Sequence, residues 1–161
     1  IEFICHGTLI LALLEGGANK GHKYILVAGD GLTTLPYDHS KRCCGRRETN
    51  QDKLKVFKEK VCGGFAGPWR FNNTTEAYIN SEIANVENPT VVDIERAIRN
   101  QKTSKSAEAK EARKDDYQMV FGSFHTEDQP TIKGFNRNAN GSVTNKNPMG
   151  LHSTKYVTYG S

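Results

Sequence analysis

An α+β fold, with helices packed over a mostly antiparallel sheet, is what the order of elements in this chain predicts. Three observations predict it. Apolar or alternating runs occupy both ends of the sequence, two segments of helical spacing separate them, and Gly/Asn-rich turns join neighbouring runs. The 161 residues set a prior of one domain and suffice for a self-standing core.

Thr8 to Leu14 is a nearly continuous apolar run, and Glu15 to Gly21 supplies turn chemistry before His22 to Gly29. Such runs read as two strands of a hairpin buried on both faces. Asp30-Gly31 ends it, and the polar stretch Leu35 to Gln51 reads as a loop. Lys53 to Phe57 alternates at period two, a half-buried strand. Lys60 to Gly67 is another, whose glycines predict close backbone approach by a neighbouring element. From Thr74 to Val86 the spacing of Ala77, Tyr78, Ile83 and Ala84 is helical. Thr90 and Asp93 form a capping box for a second helix, whose apolar stripe is Val91, Ile94, Ala97 and Ile98. Lys102 to Asp116 is charged almost throughout and reads as a solvated extension or loop. Strand character returns at Tyr117 to His125, Thr131 to Phe135 and Tyr156 to Tyr159, with Asn140-Gly141 as a hairpin signal.

Composition excludes several functions. No apolar run approaches the ~20 residues of a membrane-spanning helix, and the mean hydropathy of −0.63 is that of a polar, soluble chain. A net charge of +4 is too mild to imply nucleic acid, and the basic pairs Lys41-Arg42 and Arg46-Arg47 lack interleaved aromatics. The apolar stretch after Gly7 lacks the basic flank and small-residue cleavage site of a secretion signal. Cys5, Cys43, Cys44 and Cys62 show no C-x-x-C spacing, which predicts a reduced, cytoplasmic protein. The histidines show no ligand spacing, so neither a metal nor a cofactor is expected. Gly16 to Lys23 has P-loop glycine spacing, but His22-Lys23 stands where Lys-Ser/Thr is needed, and a strand follows instead of a helix.

Four short motifs occur in a telling order. Gly7-Thr8 opens the first strand, Ala28-Gly29-Asp30-Gly31 ends the second, Lys53-Leu54-Lys55-Val56-Phe57 opens the next, and Gly64-Phe65-Ala66-Gly67 closes the one after it. In this order they resemble the N-terminal-nucleophile (Ntn) threonine peptidases, the family of proteasome β subunits and bacterial HslV. Tyr159-Gly160-Ser161 resembles the start of that family's Gly-Ser-Gly signature. The resemblance implies an Ntn-hydrolase-like sandwich of mostly antiparallel sheets with helices packed outside, in a form lacking the family's C-terminal elements. It also implies a propeptide-like segment at residues 1–7 and a single domain over 8–161.

By the same resemblance, Thr8 is the nucleophile, exposed by cleavage of the Gly7–Thr8 bond. Asp30 and Lys53 orient and tune it, Gly67 N–H forms the oxyanion hole, and Ser161 supports the threonine amine. Thr34 contacts substrate backbone and Phe65 lines the substrate pocket. The chemistry is coherent: a hydroxyl is a poor nucleophile without a base, and an α-amine becomes that base only once the preceding bond is cut. A nearby ammonium lowers the amine's pKa and favours its neutral form. The family further implies a homo-oligomeric ring, unfolded polypeptide as substrate and an ATPase unfoldase as partner, without nucleic acid or membrane. Three alternatives stand beside the threonine peptidase. They are a non-catalytic structural subunit that never exposes Thr8, an Ntn hydrolase of small amides, and, as the weakest, a nucleic-acid binder. Pro68-Trp69-Arg70 departs from the small residues the family carries after its Gly-Phe-Ala-Gly, and the loop from Arg42 to Asn50 is longer than in HslV.

Overall fold

The computed structural model describes residues 10–16, 23–29, 33–34, 47–48, 53–66, 69–112, 116–125, 129–150 and 154–159. Among them are ten strands and three helices. In chain order they are β1 (Ile10–Gly16), β2 (Lys23–Gly29), β3 (Thr33–Thr34), β4 (Arg47–Glu48), β5 (Leu54–Phe57), β6 (Val61–Ala66), α1 (Trp69–Glu82), α2 (Val91–Asn100), α3 (Ala107–Ala112), β7 (Tyr117–Phe124), β8 (Pro130–Arg137), β9 (Val143–Lys146) and β10 (Thr154–Tyr159). The fold is mixed helix and antiparallel sheet, as the element order predicts.

Five strands form one sheet in the order β5-β6-β7-β8-β9, every neighbouring pair antiparallel. Three more form a second sheet in the order β10-β1-β2, so the earliest strand is central and pairs with the latest. The hairpin of β1 and β2 forms where the apolar runs predict it. The expectation that both its faces are buried fails for β2, where Leu26 is 48% exposed and Ala28 is exposed too. Ile25 and Val27 instead pack with Ala66, Val120, Ile132, Val157 and Tyr159, joining one face of each sheet. Glycine permits the closeness of this contact: a Cβ on Gly134 would stand 2.8 Å from Val157 and 2.9 Å from Tyr159.

The opposite face of the five-stranded sheet meets the helices. Phe57, Phe65, Phe121 and Phe135 from four strands close the main core with Tyr78, Ile79, Val91, Ile94 and Ile98. Phe121 is its hub, with ring centroids 5.9 Å from Phe57, 5.7 Å from Phe65 and 6.1 Å from Phe135. Full burial of each such side chain contributes about 1.5–3 kcal/mol. The close approach predicted from the glycines of β6 is real at Gly63, where an added Cβ would lie 2.2 Å from the Phe121 ring.

The helices show how far periodicity reaches. The second helix appears as read, with Val91, Ile94, Ala97 and Ile98 buried and both halves of the Thr90/Asp93 capping box present. Ser123 Oγ accepts from Val91 N–H at 2.9 Å and ties the helix start to β7. The first helix begins at Trp69, five residues before its apolar spacing becomes helical. Pro68 precedes it in sequence, a residue suited to helix starts. The stretch 102–116 is more than a solvated extension. It carries α3, whose Ala109 is wholly buried and whose N–H is capped by Ser106 Oγ at 3.1 Å. The expected 35–51 loop contains the two residues of β4, which pair with β3.

Two turns set the hairpins. Gly141 adopts a φ of +87° in the turn before β9, a conformation that suits glycine. Between β5 and β6, Lys58 and Glu59 take φ of 48° and 56° without being glycine. The Lys58 ammonium donates to the Ala84 and Val86 carbonyls at 2.6 and 2.8 Å, fastening this strained tip to the end of α1.

Candidate active site

Register decides which chain segments meet. At one end of the three-stranded sheet, Ile10 opposes Gly29 on one side and Tyr159 on the other. The start of β1, the end of β2 and the end of β10 therefore lie side by side. Thr8, Asp30 and Ser161, which neighbour these strand ends in sequence, lie outside the described residues.

In the five-stranded sheet, Lys53 stands just before β5, and its carbonyl accepts from Phe65 N–H at 3.0 Å. Leu54 opposes Gly64 and Ala66 opposes Gln118, so Lys53, Phe65 and Ala66 share one sheet end. Gly67, the next residue, lies outside the described residues.

The inter-sheet packing relates these two ends. Gly122 approaches Ile25, whereas Gly134 approaches Val157 and Tyr159. Gly122 is level with Cys62 and Val56, and Gly134 is level with Gly64 and Leu54. Ile25 is level with Leu14, and Tyr159 with Ile10. Moving from Leu14 towards Ile10 in one sheet thus follows the same direction as moving from Val56 towards Leu54 in the other. The Ile10–Gly29–Tyr159 end and the Lys53–Phe65–Ala66 end lie on the same side of the molecule, with Ala66 and Tyr159 in one cluster.

The described site residues have contrasting surroundings. Lys53 is 6% exposed, at a buried position of a strand whose Leu54 and Val56 are exposed. Two residues on, Lys55 pairs with Glu76 of α1 at 3.0 Å, which shows that this face of β5 meets the helix layer. The Phe65 ring is 1% exposed and packs edge-on against Phe121. Thr34 forms β3 with Thr33 and opposes Arg47.

Burial governs the titratable groups nearby. It pushes the Tyr159 hydroxyl above its ordinary value. It also pushes up the Cys62 thiol, against weaker lowering by backbone hydrogen bonds of Cys62 and Gly122, and the thiol donates to the Gly122 carbonyl at 3.6 Å. Cys62 therefore lacks the lowered pKa of a reactive thiol. Among the described residues no three His, Cys, Asp or Glu side chains gather as metal ligands, and no helix is long and apolar enough to cross a membrane.

Sequence reading missed the pairing of β10 with β1. This pairing places Tyr159, the last residue of β10, opposite Ile10 at the start of β1, and its sequence signal is the apolar alternation of the last strand.

Comparison with known proteins gives the fold a context. No protein-family model and no curated protein matches the chain. Among solved structures, HslV from Trypanosoma brucei superposes with a TM-score of 0.53 at 16% identity, over 94% of this chain and 71% of that one. Anbu from Hyphomicrobium sp. strain MC1 gives 0.52 at 16% identity, over 93% of this chain and 60% of that one. Its Gly-1 mutant gives 0.51, again at 16%, over 96% and 59%. The chain spans well under two thirds of Anbu's length. It has the fold that HslV and Anbu share.

Proposed function

We propose that this chain, sharing its fold with HslV and Anbu, is a threonine-type peptidase that hydrolyses peptide bonds through Thr8 after cleavage of Gly7–Thr8. The observation that carries the reading is the common side of the two sheet ends, which the sequence continues to Thr8, Asp30 and Ser161 at one end and to Gly67, beside Lys53, at the other. The same reading takes the two face-packed sheets as an Ntn-hydrolase sandwich with α1 and α2 outside.

In this mechanism the freed Thr8 amine takes the proton from its own hydroxyl, and Oγ attacks the substrate carbonyl. Gly67 N–H holds the oxyanion, where loss of one such donor costs about 3–4 kcal/mol in the transition state. The amine returns the proton to the leaving nitrogen, and water then hydrolyses the ester on Thr8. Lys53 keeps the amine neutral, Asp30 aims Lys53, and Ser161 supports the amine. Thr34 meets the substrate backbone and Phe65 shapes the pocket. A homo-oligomeric ring fed with unfolded polypeptide by an ATPase, in a reducing cytoplasm, completes the proposal.

Thr8→Ala tests it: amide hydrolysis is expected to vanish, and unchanged turnover rejects the mechanism. Intact mass with N-terminal sequencing of aged protein should show a chain starting at Thr8. A second reading is a non-catalytic structural subunit of a proteasome-like assembly, in which Thr8 is never exposed and its nitrogen stays an amide. It predicts a stable oligomer whose N-terminus never changes.

A further inference from the structure

The faces of β5 run against its own hydrophobic pattern. Lys53, Lys55 and Phe57 share the face toward the helix layer, with Lys53 6% exposed, Phe57 fully buried and Lys55 paired with Glu76 of α1. Leu54 and Val56 stand on the other face and are 36% and 66% exposed. A slip of one residue exchanges the two faces of a strand. For the two lysines and the two aliphatic residues, hydrophobicity favours that slipped register; Phe57 alone favours the one observed. Among the described strands β5 pairs with β6 alone, as an edge strand does.

The turn that joins β5 to β6 supplies what the pattern lacks, because turn geometry fixes the register of a hairpin. Lys60 N–H donates to the Phe57 carbonyl at 3.0 Å, and the two residues between them carry φ of 48° and 56°. Asn-Gly or Gly-Gly adopts such a backbone readily, whereas Lys58 and Glu59 adopt it at a cost. Lys58 offsets that cost from outside the hairpin. Its ammonium bonds the Ala84 carbonyl at 2.6 Å and the Val86 carbonyl at 2.8 Å, just past the end of α1. The anchor is firm, since Ile83 is 1% exposed in the main core and Val86 packs against it.

We infer that Lys58 pins the register of β5 and is thereby a positioning residue for Lys53. In the pinned register Lys53 keeps its buried place, with its carbonyl accepting from Phe65 N–H. A slip would turn it to the face where Leu54 and Val56 now stand. The bearing on catalysis rests on the peptidase reading above, whereas the register does not.

Labelling of the folded chain with a succinimidyl ester, read by peptide mass spectrometry, tests the pin. In the wild type Lys53 should react slowly and the exposed Lys60 quickly. Lys58→Met keeps the aliphatic stem and drops the ammonium. Lys53 labelling should then rise roughly two- to fivefold, the shift expected for losing one exposed cation at a helix end. Hydrogen exchange in β7 and β8 should keep the wild-type rate, which separates a local slip from a general loss of stability. Lys58→Asn combined with Glu59→Gly removes the strain along with the ammonium and should return Lys53 to its protected state. Three results each overturn the inference: unchanged Lys53 labelling in Lys58→Met, a rise that β7 and β8 share, or a double variant as reactive as Lys58→Met. Peptide hydrolysis by the same proteins adds the catalytic arm. There kcat should fall in Lys58→Met and recover in the double variant, with KM held. An unchanged kcat beside raised labelling removes Lys58 as a positioning residue. A wild type that hydrolyses nothing rejects the peptidase reading, and the labelling still decides the register.

Discussion

Gly134→Ala probes the contact that relates the two sheets. The new methyl would stand 2.8 Å from Val157 Cγ1, 2.9 Å from Tyr159 Cε2 and 3.0 Å from Tyr159 Oη. Neither neighbour gives way easily. Val157 is 2% exposed and β-branched, so its χ1 is restricted and it has little room to turn. Tyr159 is 8% exposed, and the Lys146 ammonium sits 4.8 Å from its ring centroid while donating to the Thr158 carbonyl at 2.7 Å. Overpacking of this kind costs about 1–3 kcal/mol. Alanine recovers about 0.4–1 kcal/mol by restricting the unfolded chain. The net loss is about 1–2 kcal/mol, a fall in Tm of roughly 2–8 °C for a chain of this size. Urea denaturation should show a lower midpoint with an unchanged slope. Adding Val157→Ala removes the nearest clashing atom, so the double variant should lose less than the sum of the singles, with a coupling of about 1 kcal/mol. Full stability of Gly134→Ala, or strict additivity with Val157→Ala, would refute the close stacking from which the common side of the two sheet ends was argued.

Three further outcomes follow from single features. Gly63→Ala places a Cβ 2.2 Å from Phe121 Cδ1 and 2.6 Å from the Val120 carbonyl, so calorimetry should show a larger loss than at Gly134. Asp93→Ala removes half of the capping box of α2 and should cost about 1 kcal/mol in chemical denaturation. For Glu95, partial burial acts to raise the carboxyl pKa. Hydrogen bonds from Lys133 at 2.9 Å, Asn145 at 3.1 Å and Arg99 at 3.2 Å outweigh it and hold the pKa below the ordinary value. A lowered folded value contributes stability that is complete above the unfolded value of about 4.3 and fades as pH falls through the folded one. Glu95→Gln should therefore flatten part of the acid limb of a stability–pH profile and leave its shape unchanged near pH 7.

Local patterns carried much of the fold in advance. The alternation at Lys53–Phe57, the capping box at Thr90, the stripe through Ile98 and the Asn140-Gly141 turn each act within a few residues, so each is legible by itself. What escaped depends on distant partners. The first turns of α1 lack apolar spacing, and Ala109 gains its burial from α1, not from its charged neighbours. The exposed face of β2 was misread because an apolar run states what a strand prefers, not what covers it. The candidate site divides in the same way. Its motifs are short strings that can be read singly, but the alignment of their strand ends depends on inter-sheet contacts at Gly122 and Gly134 that no local pattern encodes.

The central place of β1 in its sheet imposes an order on folding. Its hairpin with β2 closes across six residues, Gly17 to His22, whereas its pairing with β10 closes across roughly 140. Loop-closure entropy makes the second event dearer by about 3 kcal/mol. On a ribosome, β10 is also the last of these strands to emerge, so one edge of β1 stays open through most of synthesis. The three-stranded sheet can therefore close only after β10 has emerged, long after its first hairpin has formed.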